Sequence, residues 1–139
     1  MSQLVDALKA EHANIARILG RVVELGIETE EGRKTLMAAK TGLLAHLERE
    51  DKHLYPVLLE AARDDDIIAD ALGFLHEDIV GVSEAALRFF DKYGDGPPGD
   101  EFADDFQALA GALTQRIQKE ESVIYKMAEN IDFLTDGAP

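Results

Sequence analysis

The sequence predicts an all-α protein, an antiparallel up-down-up-down four-helix bundle, and three observations carry that reading. Apolar residues recur at intervals of three and four through four long stretches, short breaks separate the stretches, and no alternating apolar and polar run competes as a strand. With 139 residues the chain is long enough for one domain, spanning 1–139, with a core of its own.

The first helix is expected to run from Ser2, a suitable N-cap, to Gly26, with Leu4, Leu8, Ile15, Leu19 and Val22 on its apolar stripe. His12 falls on that stripe. Thr29-Glu30-Glu31 opens a second helix, with acidic residues in the first turn where the helix dipole favours them, and Leu36, Leu43, Leu47, Leu54 and Leu58 lead toward Ala62. Pro56 lacks the N–H that would bond to residue 52, so a kink or a local end is expected there. Asp64-Asp65-Asp66 breaks the chain and caps a third stripe, Ile68, Leu72, Leu75, Ile79, Val82, Ala86 and Phe90, with His76 in its middle. Gly and Pro in 93–99 forbid regular helix. A fourth stripe then opens near Asp100 with Phe102, Phe106, Leu109, Leu113, Ile117, Ile124 and Met127, sharing its side with Arg116 and Glu120. The tail from Thr135 to Pro139 is expected to fray. Gly20, Gly42, Gly73, Gly81 and Gly111 lie inside helical stretches, where each costs about 1 kcal/mol relative to Ala. Close helix approach or local adjustment is the expected reason.

Composition narrows the function. Cysteine is absent, so disulfides, thiolate metal sites and Cys nucleophiles are excluded together, and a metal must be held by His and carboxylates. Twenty-eight acidic against fourteen basic residues give a formal charge of -14, which disfavours nucleic acid and anionic lipid as partners. The N-terminal turns carry Asp6, Lys9 and Glu11 rather than the apolar core of a signal peptide, and no stretch has the run of about 18 apolar residues a membrane span needs. A cytoplasmic protein is expected.

The chain is organised around 43–57, where Leu43, His46, Glu50, His53 and Val57 advance by three or four residues and project from one side of a helix. That side should face the core, and unpaired ionised groups there cost several kcal/mol or lose their charge. A metal ion, a buried salt bridge or trapped water must satisfy them. Segments 46–56 and 116–126 also resemble each other: Glu50 matches Glu120, Asp51 matches Glu121, Leu54 matches Ile124, Tyr55 matches Tyr125, and His46 matches Arg116. Each helix thus brings an ionisable group to its inward stripe: His12; His46 with Glu50; His76; and Arg116 with Glu120. Convergence of His and carboxylates at mid-bundle is how such bundles build metal sites. Two buried glutamates around one arginine would equally make a satisfied salt-bridge cluster.

The run Leu8-Lys9-Ala10-Glu11-His12, the run His46-Leu47-Glu48-Arg49-Glu50-Asp51 closed by Leu54-Tyr55-Pro56, the element Leu75-His76-Glu77 and the run Arg116-Ile117-Gln118-Lys119-Glu120-Glu121 resemble the successive signatures of the hemerythrin-like, or HHE cation-binding, family. The resemblance spans nearly the whole chain. It implies a non-haem di-iron centre that binds or reacts with dioxygen, nitric oxide or peroxide, or that senses iron or redox state. Carried over, His12 and His46 are ligands of one iron, His76 of the other, and Glu50 and Glu120 bridge the two. The departure is Arg116, where the family pattern has a ligating histidine; Val80 stands where some members have a further His.

A guanidinium only donates, so Arg116 cannot replace an imidazole, and about 4 Å from a divalent ion it repels it by about 8 kcal/mol at an effective dielectric near 20. Turned inward, it would bond to Glu50 and Glu120 where the second iron would sit, leaving a mononuclear site or none. Turned outward, it would leave His76 and the glutamates, with His53 as an auxiliary donor, to hold a weaker second ion. His53 equally suits an exposed helix edge. Tyr55 and Tyr125 suit packing with wet hydroxyls, or hydrogen bonding near a metal. Three functions follow. The first is a non-haem iron protein in oxygen, nitric oxide or redox sensing or in iron handling, without a dedicated enzymatic activity. The second is a metal-free bundle that regulates a protein partner, as anti-sigma regulators do. The third is storage of iron, manganese or zinc.

Overall fold

A computed structural model describes residues 2–93 and 99–136, and the side chains of these residues except 2, 76–80 and 132–136. Helix α1 covers Ser2–Leu25 and α2 covers Glu30–Arg49; a π-helical turn, Glu50–Leu54, joins α2 to α3, Tyr55–Ala62. Helix α4 covers Asp66–Tyr93 and α5 covers Phe102–Lys119, and a second π-turn, Glu120–Ile124, leads into α6, Tyr125–Asp136. The protein is all-α, with no strand among the described residues. The expected loop at 94–98 and the last residues, 137–139, lie outside the described residues, while Thr135 and Asp136 are still helical rather than frayed.

Local chemistry explains the boundaries. Gly26 ends α1 with a positive φ of 92°, and its N–H bonds to the Val22 carbonyl at 3.0 Å. Thr29 caps α2 by accepting from the Gly32 N–H at 3.0 Å. Gly32 is required for that geometry, since a Cβ there would stand 2.0 Å from the Gly26 carbonyl oxygen. Asp65 caps α4, its Oδ1 accepting from Ile67 N–H at 2.9 Å and Ile68 N–H at 3.3 Å. Close helix approach is not the reason for the interior glycines: a Cβ at Gly20, Gly42, Gly73, Gly81 or Gly111 would meet nothing within 4 Å.

Helix α1 packs on α2 and α6, and α4 packs on α2, α3 and α5. Their apolar stripes form two separate cores. One gathers Leu36, Leu43, Leu47, Phe90, Phe106 and Leu113, among others, and the second gathers Val5, Leu8, Leu54, Leu58, Leu72 and Ile124. Between them, in sequence along α1, along α2 and its π-turn, and along α5 and its π-turn, fall the buried polar residues His12, His46, Glu50, Arg116 and Glu120. A polar layer therefore separates two apolar ones.

The π-turns are the main departure from the expected register. Pro56 does not end the helix; the backbone stays right-handed helical from Glu50 through Tyr55, and the Tyr55 N–H reaches back to the Glu50 carbonyl. Nor does proline create the turn, because Lys126 stands at the matching position after the second one. The shared feature is a glutamate at the start of each turn and a tyrosine just past its end, both buried. In a regular helix residues five apart point about 140° from each other, so Glu50 and Tyr55 could not share a face. The wider turn brings both inward. It also leaves His53 at the surface, the helix-edge alternative, and Val57 38% exposed, so the expectation that Val57 belongs to the core face is overturned; Leu54 and Leu58 of the expected stripe are buried.

Candidate metal centre

The polar layer holds four potential ligands that converge. One donor atom each from His12, His46, Glu50 and Glu120 can be chosen so that all lie within 4.8 Å of one another, and all four residues are buried. His12 comes from the middle of α1 and His46 from the last turn of α2, while the two glutamates open the two π-turns. His46 Nε2 lies 3.1 Å from Glu50 Oε1, and His12 Nε2 lies 3.1 Å from Glu120 Oε1 and 3.9 Å from Glu50 Oε2. The fifth expected ligand, His76, belongs to the stretch 76–80, whose side chains lie outside the described residues.

Arg116 turns inward. Its Nε donates to Glu120 Oε2 at 3.1 Å and its Nη2 to Glu50 Oε1 at 3.2 Å, so the guanidinium spans the two carboxylates. Its outer edge donates from Nη1 to Ser83 Oγ at 2.7 Å, and Ser83 in turn donates to Asp51 Oδ2 at 3.0 Å. The tyrosines close the layer crosswise. Tyr55, from the first repeat, donates to Glu120 Oε2 of the second at 2.5 Å, and Tyr125, from the second, donates to Glu50 Oε2 of the first at 2.6 Å. The sequence repeat is thus expressed as a reciprocal exchange of hydrogen bonds between its copies. Burial, with the charges of Glu120 and Glu50, pushes both phenols far above their ordinary range, so both stay protonated donors.

The two glutamates are not equivalent. Burial raises the Glu50 carboxyl above its ordinary range, and the Glu120 charge adds to this against the pull of His46. Burial also works against Glu120, but His12, the Arg116 charge and the hydrogen-bonding groups around it bring that carboxyl from 4.5 down to about 2. Burial disfavours the His46 imidazolium, yet Glu50 on one side and Glu11 on the other raise it above 6.5 overall. Because the folded Glu120 value is depressed, the stability it contributes is present above about 4.5 and is lost as pH falls toward about 2. Accordingly, the slope of unfolding free energy against pH between about 4.5 and about 2 should decrease by about one proton in Glu120→Gln, read from urea melts of the metal-free protein. An unchanged slope would show that folding does not lower the Glu120 carboxyl below its ordinary range.

The donor set fits one metal ion. Among the described residues, two buried side-chain polar atoms have no hydrogen-bond partner, Glu120 Oε1 and His12 Nδ1. The first of them lies beside His12 Nε2, and both residues line a cavity of about 10 Å³ with His46, Glu50 and Arg116. Two imidazoles and two carboxylates suit first-row divalent ions in general. A second ion is opposed by the Arg116 guanidinium, which offers no lone pair and bonds to Glu120 Oε2 and to Glu50 Oε1, the oxygen that also faces His46 Nε2.

Three partners were not picked out in the sequence. Glu11 Oε1 sits 2.7 Å from His46 Nδ1 while its Oε2 accepts from Arg49 Nη1 at 2.7 Å; by binding the outer ring nitrogen it aims Nε2 at the cluster. Its place next to His12 was the available signal: one residue off the inward stripe, it points toward the neighbouring helix. Ser83 and Asp51 hold Arg116 in place, and only the pairing of α4 with the first π-turn reveals them. His53, one turn past Glu50 in the sequence, is exposed and outside the cluster.

Among the described residues, no helix is long and apolar enough to cross a membrane. A sequence model of the hemerythrin HHE cation binding domain matches residues 3–128. No curated protein and no solved structure matches the chain.

Proposed function

Since this chain belongs to the hemerythrin HHE cation-binding family, we propose that it is an iron protein with a single metal position, in which Arg116 takes the place of the second ion. The observation that carries this reading is the buried set His12, His46, Glu50 and Glu120, with a guanidinium lodged across the two carboxylates. His76 of α4, which the resemblance gives to the second iron, is the remaining proposed donor. Iron held there would supply an open coordination position for a small ligand such as dioxygen, nitric oxide or peroxide. The chain's own residues do the rest. Glu11 orients His46, Tyr125 and Tyr55 hold the glutamates by their second oxygens, and two apolar cores keep bulk water from the layer. The role is sensing of oxygen, nitric oxide or redox state, or handling of iron, by one cytoplasmic domain over residues 1–139. Its helices are arranged as an antiparallel up-down-up-down bundle, α2 with α3 and α5 with α6 each counting as one rod.

A second reading has its own observation in support. Arg116 balances the charge of Glu50 and Glu120 without any ion, which suits a metal-free bundle that regulates a protein partner. Elemental analysis of protein purified without chelator or affinity metal separates the two. One iron per chain is the expected result; none, with none taken up on anaerobic addition of ferrous iron, would sink the metal reading in favour of the partner-binding bundle. Zinc or manganese in place of iron would point to storage or a structural ion.

A further inference from the structure

The cavity at the cluster, about 10 Å³, has room for about one water-sized molecule and is walled on its apolar sides by Ile15, Leu43, Leu47, Leu113 and Ile117. Beyond that wall lies a much larger space, a groove of about 510 Å³ between α1 and α2. Ile15, Leu43 and His46 line both spaces. One layer of side chains therefore separates the groove from the candidate ligands.

Its shape comes from small residues. Ala38, Ala39, Gly42 and Ala45 of α2 face Ile18 and Leu19 of α1 across it, and a Cβ at Gly42 would meet nothing within 4 Å. The groove has the size and apolar lining of small-molecule sites. Its charged groups, Glu11 and Arg49, are bound to each other at 2.7 Å, and Asn14 accepts from Arg17 at 2.7 Å. No unpaired charge is offered to an ionic ligand, and a net charge of -14 repels anions. The occupant these features select is neutral, apolar and, to pass into the inner cavity, of diatomic size.

We propose that the groove between α1 and α2 takes up an uncharged apolar diatomic molecule and admits it, between Ile15, Leu43 and His46, to the metal position. The proposal rests on the metal reading above. Dioxygen and nitric oxide have this chemistry; nitrite, superoxide and carboxylates do not.

Xenon is the probe for the metal-free protein. Methyl-resolved NMR under xenon pressure is expected to show saturable shifts at Ala38, Ala39, Ala45, Ile15 and Leu43, and Gly42→Leu, whose Cβ meets nothing within 4 Å and whose side chain would project into the groove, is expected to abolish them. In the iron-loaded protein, stopped-flow association of nitric oxide is expected to slow roughly tenfold or more in Gly42→Leu, with iron content unchanged. Absence of saturable xenon shifts at these residues, or their persistence in the variant, overturns uptake by the groove. An unchanged association rate overturns its role as the entry route. A dimer in sedimentation that Gly42→Leu dissociates would give the groove to a second copy of the chain and overturn the proposal. A chain that takes up no iron overturns the delivery step together with the metal reading, and the xenon result then shows separately whether the groove binds.

Discussion

Arg116→Met is expected to destabilise the metal-free protein by about 3 to 5 kcal/mol, the usual cost of removing one partner from a buried ion pair. The side chain is nearly isosteric along its stem, so the loss is electrostatic rather than a cavity. In the native layer the Arg116 charge, held above its ordinary range by Glu120 and Glu50 against the cost of burial, balances two carboxylates that are both inaccessible to water. Its aromatic neighbour contributes as well, since the guanidinium lies 5.7 Å from the centre of the Tyr55 ring. Without it, Glu50 and Glu120 face each other with only the imidazoles and phenols as partners, and one of them must take up a proton. A melting point lower by roughly 10 to 20 °C would register the loss for a chain of this size. A divalent ion should reverse much of it, because an ion that binds only the folded state at about 100 times its dissociation constant returns about 2.7 kcal/mol. Thermal melts of native and variant protein, each with and without ferrous iron or zinc, make the comparison. A variant as stable as the native chain would mean that Arg116 does not neutralise the glutamates.

Arg116→His is expected to raise the metal content from one ion per chain to two. The substitution removes the repulsion of about 8 kcal/mol between a guanidinium and a divalent ion about 4 Å away, and supplies a neutral lone pair in its place. The internal repeat gives the geometry. Position 116 stands to Glu120 as His46 stands to Glu50, four residues before it and one turn before the π-turn, and His46 Nε2 lies 3.1 Å from its glutamate. A histidine at 116 can address Glu120 in the same way. Elemental analysis after loading with excess metal reads the outcome directly. One ion in both proteins would show that something other than Arg116 limits the second position; two in both would show that Arg116 leaves its place when metal arrives, with Asp51 and Ser83 at its outer edge as the receiving groups.

Much of the site could be read before the structure, since it depends on periodicity. His12, His46, Glu50 and Glu120 lie on apolar stripes, and a residue on such a stripe is carried into the core whatever its polarity. The same rule misplaced Val57 and left His53 undecided, because it assumes 3.6 residues per turn throughout, and the π-turns at Glu50–Leu54 and Glu120–Ile124 break that assumption. Glu11, Asp51 and Ser83 were missed because each acts across a helix pair, and spacing within one helix carries no information about what faces it.

Composition, breaks and spacing in the chain were enough to decide the all-α class, the inward His12, His46, Glu50 and Glu120 and the oddity of Arg116. They left open which way Arg116 turns, and whether Tyr55 and Tyr125 pack or hydrogen-bond. Those matters rest on contacts between residues as far apart in sequence as Tyr55 and Glu120, Tyr125 and Glu50, and Arg116 and Ser83. A buried charge goes wherever a partner of opposite sign is held, and here the partners are held by other helices.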